Sequence, residues 1–281
     1  MSVIVREFKP SPKTNQFVDL YWEGSFNMDK GPEISQRVVP SGYIELIIHI
    51  TDWHCDLFKN GKWGQSPDYT LIGIYTKPYT VKFSDLVNTF GIRFKPDGFY
   101  NVFGVPVSEF KHTFDDMESL AGREFREFCS RLRDIDNTSY RIMLAEKYLR
   151  KKVEETNIDF GYLNRAAEII RKTKGFIKIE ELAKKSFISM RQLEREFVNK
   201  IGITPKMYMR ISRLNEVNRM LESRRELKLT DVTYECGFSD QAHFIREFKN
   251  FTGETPKVFI KDKHKFMVIP GTDPAETEVQ Y

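Results

Sequence analysis

Two short runs of polar and basic residues lie about fifty positions apart in the C-terminal third of the chain. An arginine can bind O6 and N7 of guanine, a glutamine can bind N6 and N7 of adenine, and a glutamate can accept from N4 of cytosine. The chemistry these residue types allow is therefore contact with the base edges of duplex DNA. The candidate residues are Arg191, Glu194 and Arg195 in the first run and Gln241, Ala242, His243 and Arg246 in the second.

The two runs belong to a repeated sequence. "FISMRQLEREFVNKIGITP", from Phe187 to Pro205, is echoed by "GFSDQAHFIREFKNFTGETP", from Gly237 to Pro256. Equivalent residues are 51 apart in the second half of each copy, as between Phe197 and Phe248, and 50 apart in the first half. A single polar run is more typical of a solvated helix face. Two copies with the same internal order favour a shared role in binding.

Each copy is predicted to form two helices joined by a tight turn, which is a helix-turn-helix unit. A serine, Ser189 or Ser239, stands where a helix N-cap accepts a backbone N–H. The polar runs lie opposite an apolar stripe that must pack against the first helix of its unit. The stripe residues are Leu193, Phe197 and Ile201 in the first copy and Phe244, Phe248 and Phe251 in the second.

The stretch between the copies is predicted to be one long helix. Thr204 and Pro205 form a typical helix start, with a capping hydroxyl before a proline at the first helical position. The segment from Pro205 to Glu222 makes a rod of about 27 Å, against about 34 Å between successive major-groove faces on one side of DNA. Such a rod would hold two dissimilar helices against adjacent grooves. Arg210 and Arg213 on this rod are either phosphate contacts or solubilising surface residues.

Charge is distributed unevenly along the chain. The net charge is +4, but residues 165–265 contain 23 lysines and arginines against 14 aspartates and glutamates, a net +9. The remainder contains 21 against 26, a net −5. A basic module joined to an acidic one points to a polyanionic partner for the basic part, although a well-solvated helical surface would have the same composition.

The N-terminal residues 1–115 form the β-rich part of an α+β, multidomain chain. Runs such as "YIELIIHI" alternate with turn signals such as Pro96-Asp97-Gly98, which predicts a barrel or sandwich. Residues 116–156 have helical periodicity and are predicted to connect the two parts, form a dimer seam or cover one face of the barrel. Residues 157–265 form the second helical block, and residues 266–281 are predicted to be an acidic tail.

Residues 165–262 resemble the DNA-binding domain of the AraC/XylS family of bacterial transcription regulators. The resemblance rests on "ELAKKSFISMRQLEREFVNKIGITP" and on "GFSDQAHFIREFKNFTGETP". It implies an all-α domain of seven helices with two helix-turn-helix units, whose recognition helices are Met190–Lys200 and Asp240–Asn250. Phe187 stands where the family commonly has a turn glycine, and Thr233 where it commonly has alanine.

The N-terminal part resembles a cupin-like β domain found attached to this family, through "VVPSGYIELIIHI" and "GIRFKPDGFYNVFGVP". The resemblance implies a half barrel that senses a small molecule or mediates dimerisation. No ligand-binding residue transfers from it, so the effector site is unknown. Metal-binding cupins need clustered ligands such as an HxH pair, whereas His49 and His54 lie five residues apart and are interpreted as structural. We therefore predict no metal site.

Other functional classes find no support in the motifs. The sequence lacks GxSxG, the P-loop pattern, HExxH and GxGxxG, so neither an enzyme nor a cofactor is predicted. No apolar run approaches the roughly 18 residues of a membrane span. The three cysteines, Cys55, Cys129 and Cys236, are odd in number and far apart, which is typical of reduced intracellular thiols and favours a cytoplasmic protein.

These observations predict a sequence-specific DNA-binding transcription regulator, an activator or a repressor, controlled by a signal at its N-terminal domain. Its predicted partners are double-stranded DNA, a small-molecule effector and a second copy of the chain, with RNA polymerase implied by the family resemblance. An alternative hypothesis is a small-molecule sensor or adaptor whose DNA binding is weak or lost.

Overall fold

The computed structural model describes residues 2–27, 34–59, 61–83, 86–156, 162–223, 228–267 and 279–280. Short strands build the N-terminal domain, as its β-branched and aromatic runs predicted. The strands are β1 (Ser2–Phe8), β2 (Val18–Asn27), β3 (Ile34–Val38), β4 (Glu45–His49), β5 (Asp56–Lys59), β6 (Lys62–Gln65), β7 (Tyr69–Ile72), β8 (Tyr79–Phe83), β9 (Val87–Phe94) and β10 (Phe114–Asp116).

The described residues form two sheets, completed by short strands from the C-terminal end, β11 (Phe266–Met267) and β12 (Val279–Gln280). One sheet has the order β10-β7-β4-β9-β2-β1-β12 and the other β11-β3-β8-β5-β6. No strand pairing joins the sheets within the described ranges, so the predicted barrel or sandwich is an open sandwich. Side chains on the two faces of β2 belong to two different hydrophobic cores. Trp22 and Phe26 lie in the core between the sheets, with Val81 and Phe83 of the second sheet. Tyr21 lies in the core that the first sheet shares with the helices.

Helices cover the seven-stranded sheet on its other side. After α1 (Gly98–Phe103) and a 3-10 turn at Val107–Phe110 come α2 (Met117–Arg133) and α3 (Thr138–Thr156). The rings of Tyr69 on β7 and Phe125 on α2 meet edge to face with 5.7 Å between centroids. This contact favours the interpretation of α2 as cover for the sheet, and a dimer seam stays a prediction.

The described residues of the C-terminal domain, 162–223 and 228–265, form seven α-helices, the number that the family resemblance implied. They are α4 (Tyr162–Lys172), α5 (Ile179–Lys185), α6 (Met190–Ile201), α7 (Pro205–Ser223), α8 (Leu229–Glu235), α9 (Gln241–Thr252) and α10 (Pro256–Lys261). The first helix-turn-helix unit is α5–α6, the second is α8–α9, and α7 connects them. Equivalent helices of the two units have equal lengths, seven residues for α5 and α8 and twelve for α6 and α9.

The two domains pack against each other through a common apolar core. A Cβ on Gly42, in the loop before β4, would lie 3.2 Å from Ile211 of α7. The side chain of Asn215 on α7 donates to the carbonyl of Ser41 at 3.0 Å. The connecting helix is therefore held by the N-terminal domain as well as by its own domain.

The end of the chain departs from the predicted tail. Phe266 and Met267 form β11, which pairs in parallel with Arg37 and Val38 of β3, and Phe266 is buried. Val279 pairs with Val5 of β1. The rest of the predicted tail, residues 268–278 and 281, and residues 157–161 of the predicted second helical block lie outside the described residues. In the described part of the chain, no helix has the length and apolar character that crossing a membrane requires.

Candidate nucleic-acid interface

Helix α6 presents the first polar run. Ser189 caps the helix as predicted, and its hydroxyl accepts from the backbone N–H of Gln192 at 3.2 Å. The predicted stripe, Leu193, Phe197 and Ile201, is fully buried. This burial fixes the rotation of α6 about its axis, so that the opposite face points away from the domain.

All three predicted contact residues of α6, Arg191, Glu194 and Arg195, are exposed. The Arg195 guanidinium donates to Glu196 Oε1 at 3.1 Å, with 72% of its side chain exposed. An exposed pair of this kind contributes little stability, so Arg195 can exchange Glu196 for another acceptor. The face offers two cations and one acceptor along one turn of helix.

Helix α9 presents the second run, but its cap differs from the predicted one. Asp240, rather than Ser239, is the N-cap, and its Oδ1 accepts from the backbone N–H of His243 at 2.7 Å. Ser239 instead donates to Asp240 Oδ2 at 3.0 Å. A carboxylate accepts a stronger hydrogen bond than a hydroxyl and also suits the positive end of the helix dipole. The bond from His243 holds the pKa of Asp240 below its ordinary value.

Three of the four predicted residues on α9, Gln241, Ala242 and Arg246, are exposed. His243 is half-buried: its Nδ1 lies 3.1 Å from the Ser239 hydroxyl, and its ring meets Phe238 edge to face. The imidazole is therefore engaged with the turn of its own unit. The role of each of the seven residues in binding DNA stays a prediction.

The connecting helix α7 is attached to α9 by a pair of ions that sequence analysis did not find. Two nitrogens of Arg210 donate to the two carboxylate oxygens of Glu247, both at 2.8 Å. The guanidinium also lies over the Phe251 ring, 5.2 Å from its centroid. These contacts favour a structural role for Arg210 over the suggested phosphate contact. The two residues are 37 positions apart, so no local pattern connects them.

The two turns have the same backbone conformation with different residues. Phe187 in the first turn and Gly237 in the second both have φ of 58°. The Phe187 side chain is exposed, and the Arg165 guanidinium of α4 lies 5.9 Å from the centre of its ring. The family resemblance alone left the geometry of this turn open, and the structure shows that Phe187 adopts the left-handed conformation.

The N-terminal domain contacts the C-terminal ends of both recognition helices. A Cβ on Gly202, which ends α6, would lie 2.6 Å from Ile74 and 2.8 Å from Val107. At the end of α9, the Arg37 guanidinium of β3 lies 3.4 Å from the carboxylate of Glu254. The N-terminal ends of both helices keep exposed residues, among them Arg191 and Gln241.

His49 and His54 belong to the N-terminal domain, at the end of β4 and just before β5. His49 is buried with its Nε2 2.9 Å from the Ser66 hydroxyl, and burial lowers its pKa to about 3. His54 Nε2 lies 2.8 Å from Asp68 Oδ1. Both contacts agree with structural roles. No group of three potential metal ligands occurs among the residues whose positions are described.

Comparison with known proteins agrees with this architecture. Residues 182–262 match the family described as a helix-turn-helix domain. Ahead of this match, residues 6–114 match a family described as a domain of unknown function, DUF6597.

Among curated proteins, the Msm operon regulatory protein of Streptococcus mutans is 28% identical over 121 residues, 42% of this chain and 43% of that protein. The transcriptional activator RhaS of Yersinia pestis is 37% identical over 82 residues, 27% of this chain and 28% of that protein. The chain thus matches less than half the length of these relatives. Among solved structures, ToxT from Vibrio cholerae aligns over 86% of this chain and 98% of its own, with 10% identity and a TM-score of 0.48.

Proposed function

We propose that the protein is a sequence-specific DNA-binding transcription regulator. Its recognition helices α6 and α9 enter adjacent major grooves, and its N-terminal domain receives the controlling signal. The observation that carries the proposal is the pair of exposed hydrogen-bonding faces on helices whose opposite faces are buried, joined by the single helix α7. A helix held in this way presents its first residues to base edges, as helix-turn-helix proteins do.

Charge and sequence similarity support the same partner. The +9 balance of residues 165–265 suits the phosphate backbone of a duplex. The curated relatives that share the C-terminal domain carry regulatory names. A small-molecule effector, a homodimer and contact with RNA polymerase join the proposal through the family resemblance alone.

Selection of duplexes from a random pool by the full-length protein tests the proposal. We expect enrichment of an asymmetric site with two contacted segments about one helical turn apart. The logarithm of the binding constant should then fall linearly with the logarithm of salt concentration, because phosphate contacts release counterions. Absence of any enriched sequence, or binding that ignores salt, would favour the sensor or adaptor alternative.

A further inference from the structure

The turn of the first helix-turn-helix unit contains a bulky residue in a disfavoured conformation. Phe187 has φ of 58°, in the left-handed region where the Cβ of an L-residue crowds the following carbonyl. Glycine avoids this clash because it has no Cβ. Strained residues of this kind occur preferentially where the side chain serves a function.

The second unit shows what this turn requires. Gly237 has the same φ, and both turns close with matching backbone bonds, from Phe187 to Lys184 at 3.2 Å and from Gly237 to Tyr234 at 3.0 Å. At Gly237 an added Cβ would lie 2.3 Å from the Phe176 ring. The backbone bonds therefore form the turn without help from a side chain, and the ring of Phe187 is not needed to build it.

The Phe187 ring also contributes little to the core. It is 82% exposed, the most exposed of the large apolar side chains in the described part of the chain. A residue that is strained and also leaves its apolar surface in water gains neither conformational nor hydrophobic stability from the fold. The residues around the Phe187 ring indicate what kind of ligand would cover it.

Phe187 lies two residues before Ser189, the cap of α6, and thus beside the end of the helix that points toward a groove. Met190 and Arg191, the first residues of α6, are exposed as well. The opposite end of α6 is covered by the N-terminal domain at Gly202. A duplex that approaches the first turn of α6 also meets Phe187.

The charges around the ring are positive. The Arg165 guanidinium lies over the ring at 5.9 Å from its centroid, and Arg165 is itself exposed. Lys184, at the end of α5, and Arg191 are exposed cations close by in sequence. An apolar surface framed by cations is complementary to a strand of DNA, which alternates apolar sugar faces with phosphates.

We propose that Phe187 and Arg165 together form a further DNA contact, separate from the base-contacting face of α6. The ring packs against a deoxyribose of the strand that borders the groove entered by α6, and the stacked guanidinium pairs with the adjacent phosphate. The pair adds affinity without choosing a base. This inference rests on the proposed function, since it requires that α6 lies in a groove.

Binding of the full-length protein to a selected duplex, measured across salt concentrations, tests the contact. Phe187→Asn removes the ring but tolerates the left-handed conformation, so its melting temperature should be unchanged or higher. We expect it to weaken binding about fivefold, the lower end of the range for stacking a base on an aromatic ring, equally on matched and mismatched duplexes and with an unchanged salt slope. Arg165→Gln should weaken binding and reduce the magnitude of the salt slope by about one.

Tyr140→Asn is the matched control, because Tyr140 is a 60% exposed aromatic residue on α3 of the N-terminal half. It should leave DNA binding unchanged. If the unsubstituted protein binds a duplex and Phe187→Asn binds equally well, the inference is wrong and the proposed function stands. If the unsubstituted protein binds no duplex, the proposed function is wrong, and the inference that rests on it is wrong as well. Lost regulation in cells with unchanged DNA affinity would assign the ring to a protein partner and overturn the inference.

Discussion

The two helix-turn-helix units repeat one internal structure but are attached to the protein in different ways. Glu196 of α6 and Glu247 of α9 occupy equivalent positions, one residue before Phe197 and Phe248. Glu196 pairs within its own helix, with Lys200 at 3.2 Å, whereas Glu247 binds Arg210 of the connecting helix at 2.8 Å. A repeat thus preserves what each unit needs for its own core, while the surroundings of each copy decide its outer contacts.

The largest effect is expected from substitutions in the buried stripes, which test whether the cores of the two helix-turn-helix units are equivalent. Phe197 and Phe248 are both fully buried in the stripe that packs on the first helix of the unit. Replacing either by alanine should reduce the free energy of unfolding by about 3–5 kcal/mol, because burial is lost and a cavity forms. Chemical denaturation of the two variants measures this. A loss for one variant below half that of the other would break the equivalence.

Substitutions on the exposed faces should separate what each unit contacts. Arg195→Ala and Arg246→Ala should each weaken binding to a specific site by about 1–3 kcal/mol and relax the choice at a different base pair. Titrations with duplexes that carry single base changes measure both effects. Lys172→Ala on α4 serves as a control, since its side chain is exposed and paired with Glu168. Equal weakening on every duplex would make the arginines phosphate contacts.

A third pair of variants tests the difference in attachment. Glu247→Gln should cost about 1–2 kcal/mol, because the two bonds that Arg210 donates from α7 to the Glu247 carboxylate on α9 would lose their charge assistance. Glu196→Gln should cost at most about 0.5 kcal/mol, since its partners Arg195 and Lys200 lie on its own helix at short spacing and join no second element. Thermal unfolding of both variants gives the comparison. Similar losses would show that the contact between α7 and α9 does not distinguish the second unit.

The smallest effect concerns the two caps. Folding lowers the pKa of Asp240 from its ordinary value of 3.8, so its ionised form stabilises the folded state above that pH. This contribution is lost as the pH falls through the folded pKa. The difference in stability between the unsubstituted protein and Asp240→Asn should therefore be constant near neutral pH and vanish in strong acid.

Ser189→Ala supplies the comparison for the cap of α6. It should cost about 1 kcal/mol, because the bond to Gln192 is lost. A hydroxyl does not titrate in this range, so the cost should not change with pH. Unfolding curves recorded from about pH 7 down to about pH 2, the range over which carboxylates titrate, measure both variants. If the stability lost in Asp240→Asn did not change with pH, the assignment of Asp240 as the cap would be wrong.

Local patterns predicted most of the C-terminal domain. Two helix starts were predicted within one residue of their observed positions, from Ser189 for α6 and from Thr204 and Pro205 for α7. This was possible because capping depends only on the first turn of the helix. The second cap was assigned one residue early, since Ser239 and Asp240 are adjacent and both suit the position. The sandwich of the N-terminal domain was predicted as a class, but its strand order depends on pairings that periodicity does not specify.

By itself the sequence determined the repeated unit, its buried stripes and the exposed faces opposite them. These follow from interactions between residues within about one or two helical turns, which spacing and residue type reveal. Only the tertiary structure decided how the units are held: Arg210 meets Glu247, and β11 pairs in parallel with β3 from the far end of the chain. Contacts between distant segments depend on how whole elements pack: periodicity shows that one face of a helix is buried, but not which distant segment covers it.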